Sequence, residues 1–182
     1  MASQIHAMFM SAASNYEVQR TNNYRIIFDH DIDPNQYIEL ACTSTGLPTV
    51  SNDPIELSYG NSKVKVAGQA NVDDISVTVK DFIEADIEKA LWAWRQKVYN
   101  TKTGKVGWAV NYKKDVTIVQ YGPNGEVKRK WVAKGVWPTS LDLGELSNDG
   151  ADVKQITMNL SVDNAELLRD GESTNTHIYG TE

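Results

Sequence analysis

The chain has 182 residues, a single cysteine, and a formal charge of -6 from 18 basic and 24 acidic side chains. That length suits one domain that buries roughly 70% of its unfolded surface without disulfide or metal staples, and Cys42, having no partner, excludes an intramolecular disulfide. The acidic balance argues against a free nucleic-acid binder, and no stretch approaches the ~18 apolar residues of a membrane span, so the expectation is a soluble protein with no membrane partner, made and used inside a cell.

Residues 1–23 are expected to form an N-terminal arm, whose short apolar run in "MASQIHAMFMSAASNYEVQR" has no Lys or Arg ahead of it and does not resemble a secretory leader. From Tyr24 onward, apolar and polar residues alternate with period two. The segments 24–28, 37–43, 63–68, 74–81, 115–121, 127–137 and 154–163 each predict a strand. Seven strands imply a sandwich or barrel, so the expected fold class is mainly β, one domain over 24–164. Between residues 45 and 69, "IELS" alternates like a strand but sits between the turn signals "SNDP" and "YGNS". Its apolar content is thin, and an isolated hairpin there needs a partner.

One segment breaks the alternation. In "DFIEADIEKALWAWRQKVYN", 81–100, Ile83, Ile87, Ala90, Leu91, Trp94 and Val98 recur at helical spacing, and Asp81 with Glu84 makes a D-x-x-E capping box. A helix packed on a sheet buries such a stripe, whereas Trp92 and Tyr99 fall off it and are free to face a partner. The dipeptide Asn124-Gly125 predicts a hairpin turn between the strands on either side of it. Residues 138–153 read as an irregular acidic loop, and 165–182 as a polar C-terminal arm.

Charge is placed unevenly. Residues 95–134 hold ten Lys and Arg against two acids, and the remainder holds eight against twenty-two. Either ordinary solvated faces cluster, or opposite faces of neighbouring copies attract.

Motifs for chemistry are missing. "DHDIDPN" (29–35) imitates the start of a calcium loop, but Pro34 and Leu40 stand where the glycine and the bidentate glutamate belong. His6, His30 and His177 have no nucleophile motif beside them, and neither a P-loop, GxGxxG, GxSxG nor HExxH occurs. Asn159-Leu160-Ser161 matches a glycosylation triplet but falls within a strand. The expectation is a protein without enzymatic activity, cofactor or metal. Its strands instead offer polar faces of short, mostly uncharged side chains: Asp74, Ser76, Thr78 and Lys80 in one, Gln155, Thr157, Asn159, Ser161 and Asp163 in another.

The order of parts resembles the tail tube proteins of contractile-tailed bacteriophages, which are similar in fold to the haemolysin-coregulated tube protein of type VI secretion. The resemblance rests on "STGLPTV", "VKVAGQ", "DDISVTVKD", the single helix, "YKKDVTIVQY" and "KGVWPTSLDLGEL" in that order. It implies a sandwich or barrel that closes in sixes into rings with a continuous inner barrel, the rings stacking into a tube. The implied partners are further copies, a sheath, baseplate and tail-terminator proteins, a tape-measure protein, and DNA in transit without specific binding. The implied location is the virion tail, assembled in the host bacterial cytoplasm. On this reading Asp74, Ser76, Thr78, Gln155, Thr157, Asn159, Ser161 and Asp163 line the lumen, and Pro54, Ile55, Glu56, Leu57 and Tyr59 stack one ring on the next. Two alternatives stand beside it. One is a tube subunit of a type VI secretion or phage-derived injection particle. The other is a monomeric β-sandwich that binds carbohydrate or another ligand through Tyr59, Trp92, Trp108 and Tyr121.

Overall fold

The computed structural model describes residues 18–147 and 152–169, so most of both expected arms, with His6 and His177, lies outside the described residues. In chain order the elements are β1 (Tyr24–Phe28), α1 (Tyr37–Ala41), β2 (Cys42–Thr45), β3 (Val50–Tyr59), β4 (Ser62–Val72), β5 (Ile75–Lys80) and α2 (Ile87–Val98). They continue with β6 (Tyr99–Asn100), β7 (Lys105–Val106), α3 (Ala109–Tyr112), β8 (Lys114–Tyr121), β9 (Val127–Asp142), β10 (Gln155–Ser161) and β11 (Asn164–Arg169).

Seven strands bond in the order β1-β8-β9-β10-β5-β2, with β11 added to β9, and every pairing is antiparallel. Strand β9 serves two sheets. Its first part pairs β8 and β11, and its last part, from Trp137, pairs β10. The change comes at Gly135, whose φ of +66° suits a residue without Cβ. There Gly135 donates its N–H to Asp115 at 3.2 Å, and Asp163 donates its own to the Lys134 carbonyl at 3.1 Å.

Alternation decides what each strand buries. Ile75, Val77 and Val79 of β5 and Ile156, Met158 and Leu160 of β10 meet Ile26, Phe28, Val116, Ile118, Ala133 and Val136 of the other sheet in one core. Helix α2 adds Ile87, Leu91 and Trp94 to it. The Trp94 ring meets Phe28 edge to face at 6.3 Å, and its N–H donates to the Tyr112 carbonyl at 2.8 Å. The core is therefore a sandwich with a helix against it, as the alternation and the helical stripe predict.

Four local expectations are corrected. Residues 37–41 are helical, because the Asp33 carboxylate accepts from the backbone N–H groups of Tyr37 (2.8 Å) and Glu39 (3.1 Å). Helix α2 begins at Ile87, not near Asp81. The Asp81 N–H is tied to the Lys154 carbonyl at 3.0 Å, which extends the strand, so the D-x-x-E box does not form and Ile83 is exposed. Residues 138–142, expected as loop, continue β9 across from β10 through a bulge at Thr139, next to Pro138. Residues 164–169, which include the start of the expected C-terminal arm, form β11 along β9.

Candidate functional site

The outward face of the second sheet is built by register. Thr78 lies opposite Thr157, Ser76 opposite Asn159 and Lys80 opposite Gln155, while Ser44, Ser140 and Asp142 extend the same rows onto β2 and β9. Thr78 and Thr157 hydroxyls meet at 3.3 Å, and the Asn159 amide donates to the Ser140 hydroxyl at 3.0 Å. Six of the eight proposed lumen residues, Ser76, Thr78, Gln155, Thr157, Asn159 and Ser161, thus share one hydrophilic face. The other two lie just beyond the paired strands. Asp74 precedes β5 and accepts from the Thr139 hydroxyl at 3.5 Å, and Asp163 lies at the β10–β11 bend, ion-paired with Lys113 at 2.6 Å. Ser44, Ser140 and Asp142 belong to the face but escape sequence reading, because the pattern makes β2 the tail of a longer strand and 138–142 a loop.

Among the described residues, the edges of this sheet are free: β2 pairs only β5, and residues 137–142 of β9 pair only β10. Backbone groups along such edges are ready to accept another chain.

The stretch 50–72 forms a separate two-stranded ribbon, β3 with β4, turned through Gly60 and Asn61. Gly60 takes φ +60°, as the first position of a two-residue hairpin turn often requires. Register sets Ile55 against Val66 and Leu57 against Val64, with Tyr59 at the tip, so one face is apolar. The other face carries Glu56 with Lys63 (2.8 Å) and Lys65 (3.5 Å). Each residue of β3 is exposed, Tyr59 by 81%. Among the described residues nothing covers the apolar face.

The fold neutralises part of the basic segment. Lys113 pairs Asp163, Lys114 pairs Asp31 and Lys134 pairs Glu166, each acid coming from outside 95–134. The Lys114 partner holds the Asp31 carboxyl below its ordinary value, and burial pushes Asp33 up against the pull of its backbone N–H donors. Each aspartate of the calcium-like stretch has a protein partner, since Asp29 accepts from the Asp31 N–H at 2.9 Å. Among the described residues, no three His, Cys, Asp or Glu side chains gather to hold a metal. Nor do the aromatic residues of the ligand-binding alternative share a platform. Tyr59 tips the ribbon, Trp92 lies on α2, Trp108 precedes α3, and Tyr121 ends β8 beside Tyr24 and Cys42. In that seam between β1 and β2, burial with Cys42 alongside pushes the Tyr24 phenol up to about 12.

A polar sheet face with free edges and an uncovered ribbon are features of a protein that assembles, and comparison with known proteins names the assembly. The family profile of the T4-like virus tail tube protein gp19 matches residues 21–166. The chain belongs to that tail tube family. It is 31% identical over 118 residues to the tail tube protein gp19 of Enterobacteria phage T4, covering 63% of this chain and 70% of the relative. The same identity and coverage hold for tail tube protein gp19 of Enterobacteria phage T6. In fold it is similar to a chain of the PVC extracellular contractile injection system's sheath-tube complex in the extended state, with a TM-score of 0.67, 19% identity, and coverage of 88% and 97% of the two chains. A tube-terminating cap chain of the anti-feeding prophage gives a TM-score of 0.66 at 20% identity, covering 87% of this chain and 98% of that one. The protein is a tail tube subunit, a structural component of a phage tail or a related contractile injection particle.

Proposed function

We propose that this tail tube subunit closes in sixes into rings, that the rings stack, and that the polar face of the second sheet lines a channel through which DNA and ejected proteins pass. The observation that carries this reading is the hydrophilic face of Ser76, Thr78, Thr157 and Asn159 on a sheet whose two edges are unpaired among the described residues. Joining the β2 edge of one copy to the β9 edge of the next would continue the sheet and remove both edges. Duplex DNA carries one charge per ~1.7 Å, and a wall of lysines would hold it by counterion release. Hydroxyls and amides let it slide. Lys128 and Lys130 support this by belonging to the part of β9 that pairs β8 and β11, in the other sheet.

The ribbon is the stacking element in this reading. Ile55, Leu57 and Tyr59 with Val64 and Val66 dock on the neighbouring ring, and full burial of such side chains is worth about 1.5–3 kcal/mol each before ordering costs. Sheath, baseplate, tail-terminator and tape-measure proteins are the partners this role calls for. Electron microscopy of concentrated purified protein tests the reading: rings with a central hole, some stacked into tubes, are expected, and uniformly monomeric particles would refute it. An injection particle that passes only protein would build the same tube, and packaged DNA in purified particles separates the two.

A further inference from the structure

Helix α2 separates two exposed apolar surfaces of opposite charge. The eight residues 81–88 at its start carry four acids and no base, whereas 95–114 carry six basic side chains and no acid, Lys113 and Lys114 among the six being paired internally. At the acidic end Phe82, Ile83 and Trp92 border a groove of about 440 Å³ whose walls include Asp81, Asp86, Glu88 and Lys89. Lys89 pairs Asp86 at 3.3 Å, and Lys154 pairs Asp81 at 3.2 Å and also Glu88, so with Glu84 this end keeps four acids against two lysines. Ile83 is 98% exposed there. At the basic end Trp108 is 80% exposed, with Val106 and Val110 exposed beside it and Lys102 and Lys105 on the preceding turn and strand.

The backbone that carries Trp108 is held in place. The Gly107 N–H donates to the Val98 carbonyl at 2.9 Å, and a Cβ on Gly107 would overlap the Lys97 carbonyl oxygen, so the backbone lies tight against the end of α2. The Trp108 carbonyl in turn accepts from Asn111 at 2.9 Å. A solvent-exposed tryptophan on a fixed backbone, within an apolar patch, is the kind of residue that anchors interfaces.

We propose that Trp108 of one copy enters the Phe82–Ile83–Trp92 groove of the next, with Lys102 and Lys105 joining the Asp86 and Glu88 carboxylates that Lys89 and Lys154 already pair, where acids remain in excess. A second copy is the occupant because the two surfaces complement each other in net charge and in apolar content and are carried by the same chain. Within one molecule they stay apart, since the Trp108 backbone is anchored at the Val98 end of α2 and the groove is lined by residues 81–92. Knob and groove differ, so the contact is heterologous and runs head to tail, which generates rings or stacks. It rests on the self-assembly reading above, yet it is separate from both the ribbon and the sheet edges.

Trp108→Ala and Ile83→Asp each destroy one half of the contact and leave the core intact. Sedimentation velocity should show each variant assembling only at tenfold or higher concentration than the native chain, with unchanged thermal unfolding of the monomer. Lys105→Glu and Asp86→Lys should each do the same, and combining them in one chain should restore much of the loss. Carbodiimide coupling of native assemblies gives a readout that needs no variant, because peptides joining Lys102 or Lys105 to Asp86 or Glu88 of a differently isotope-labelled copy are expected. Native assemblies without such links, or Trp108→Ala assembling at the native concentration, would overturn the proposal while leaving the tube reading in place. The proposal falls equally if Trp108→Ala assembles normally but no longer binds sheath protein, since the surface would then serve the sheath. A native chain that stays monomeric would overturn both.

Discussion

Gly135 shows how much of the architecture can hang on one residue. It sits where β9 passes from one sheet to the other, with φ +66° and its missing Cβ directed at the Asp163 carboxylate that pairs Lys113. Gly135→Ala forces a left-handed alanine and displaces that ion pair, so a loss of about 1–3 kcal/mol is expected in urea unfolding. An unchanged midpoint would show that the bend does not depend on glycine. Asp31 gives a pH-dependent case. Its carboxyl is lowered by the hydrogen bond and charge of Lys114, so its contribution is present above the unfolded carboxylate value near about 3.9 and is lost as pH falls through the lower folded value. Asp31→Asn should therefore be less stable than the native chain at pH 7 and converge with it in strong acid. A gap that persists there would assign the effect to something other than ionisation. The sequence displays these aspartates as a possible metal loop, but it cannot show that Lys114, 83 positions away, neutralises one of them.

Elements are legible in the sequence where period and packing agree. In β5 and β10 the alternation is strict, the buried set is the predicted one, and the polar face follows from it. The helix is legible in its stripe from Ile87 to Val98 but not in its start, because hydrogen bonding of Asp81 to β10's approach overrides a local capping signal. Strand β9 is legible only to Trp137, since Pro138 is poor strand chemistry unless a bulge admits it. The α1 turn is hidden because Tyr37, Ile38, Glu39 and Leu40 alternate as a strand would, and only the Asp33 cap draws them into a helix. The ribbon's weak apolar content is visible, whereas its full length, Val50 to Val72, is not. Replacing residues 53–62 with a short Gly/Ser linker should leave the sandwich folded and ring formation possible, since among the described residues β3 and β4 pair only each other. Microscopy should then show rings without tubes, and normal tube lengths would remove the ribbon from stacking.

At the scale of the whole molecule, the uneven charge resolves into two parts. Lys113, Lys114 and Lys134 are consumed by internal pairs, and the remaining basic residues near Trp108 lie at the opposite end of α2 from its acidic start. The sheet proposed to face the channel keeps its charge low. In a phage carrying Thr78→Lys with Asn159→Lys, tubes should still form, since both side chains point away from the core, but DNA ejection should slow at low salt and recover as salt rises. Salt-independent ejection at the native rate would place these residues off the DNA path. The central claim is that the second sheet walls a channel, and a cryo-electron microscopy reconstruction of tubes formed by the native chain tests it most directly. The account predicts a continuous inner barrel joined from β2 to β9 of adjacent copies, with Ser76, Thr78, Thr157 and Asn159 facing the lumen. A reconstruction that puts Lys128 and Lys130 on the inner wall and the second sheet outside would contradict it.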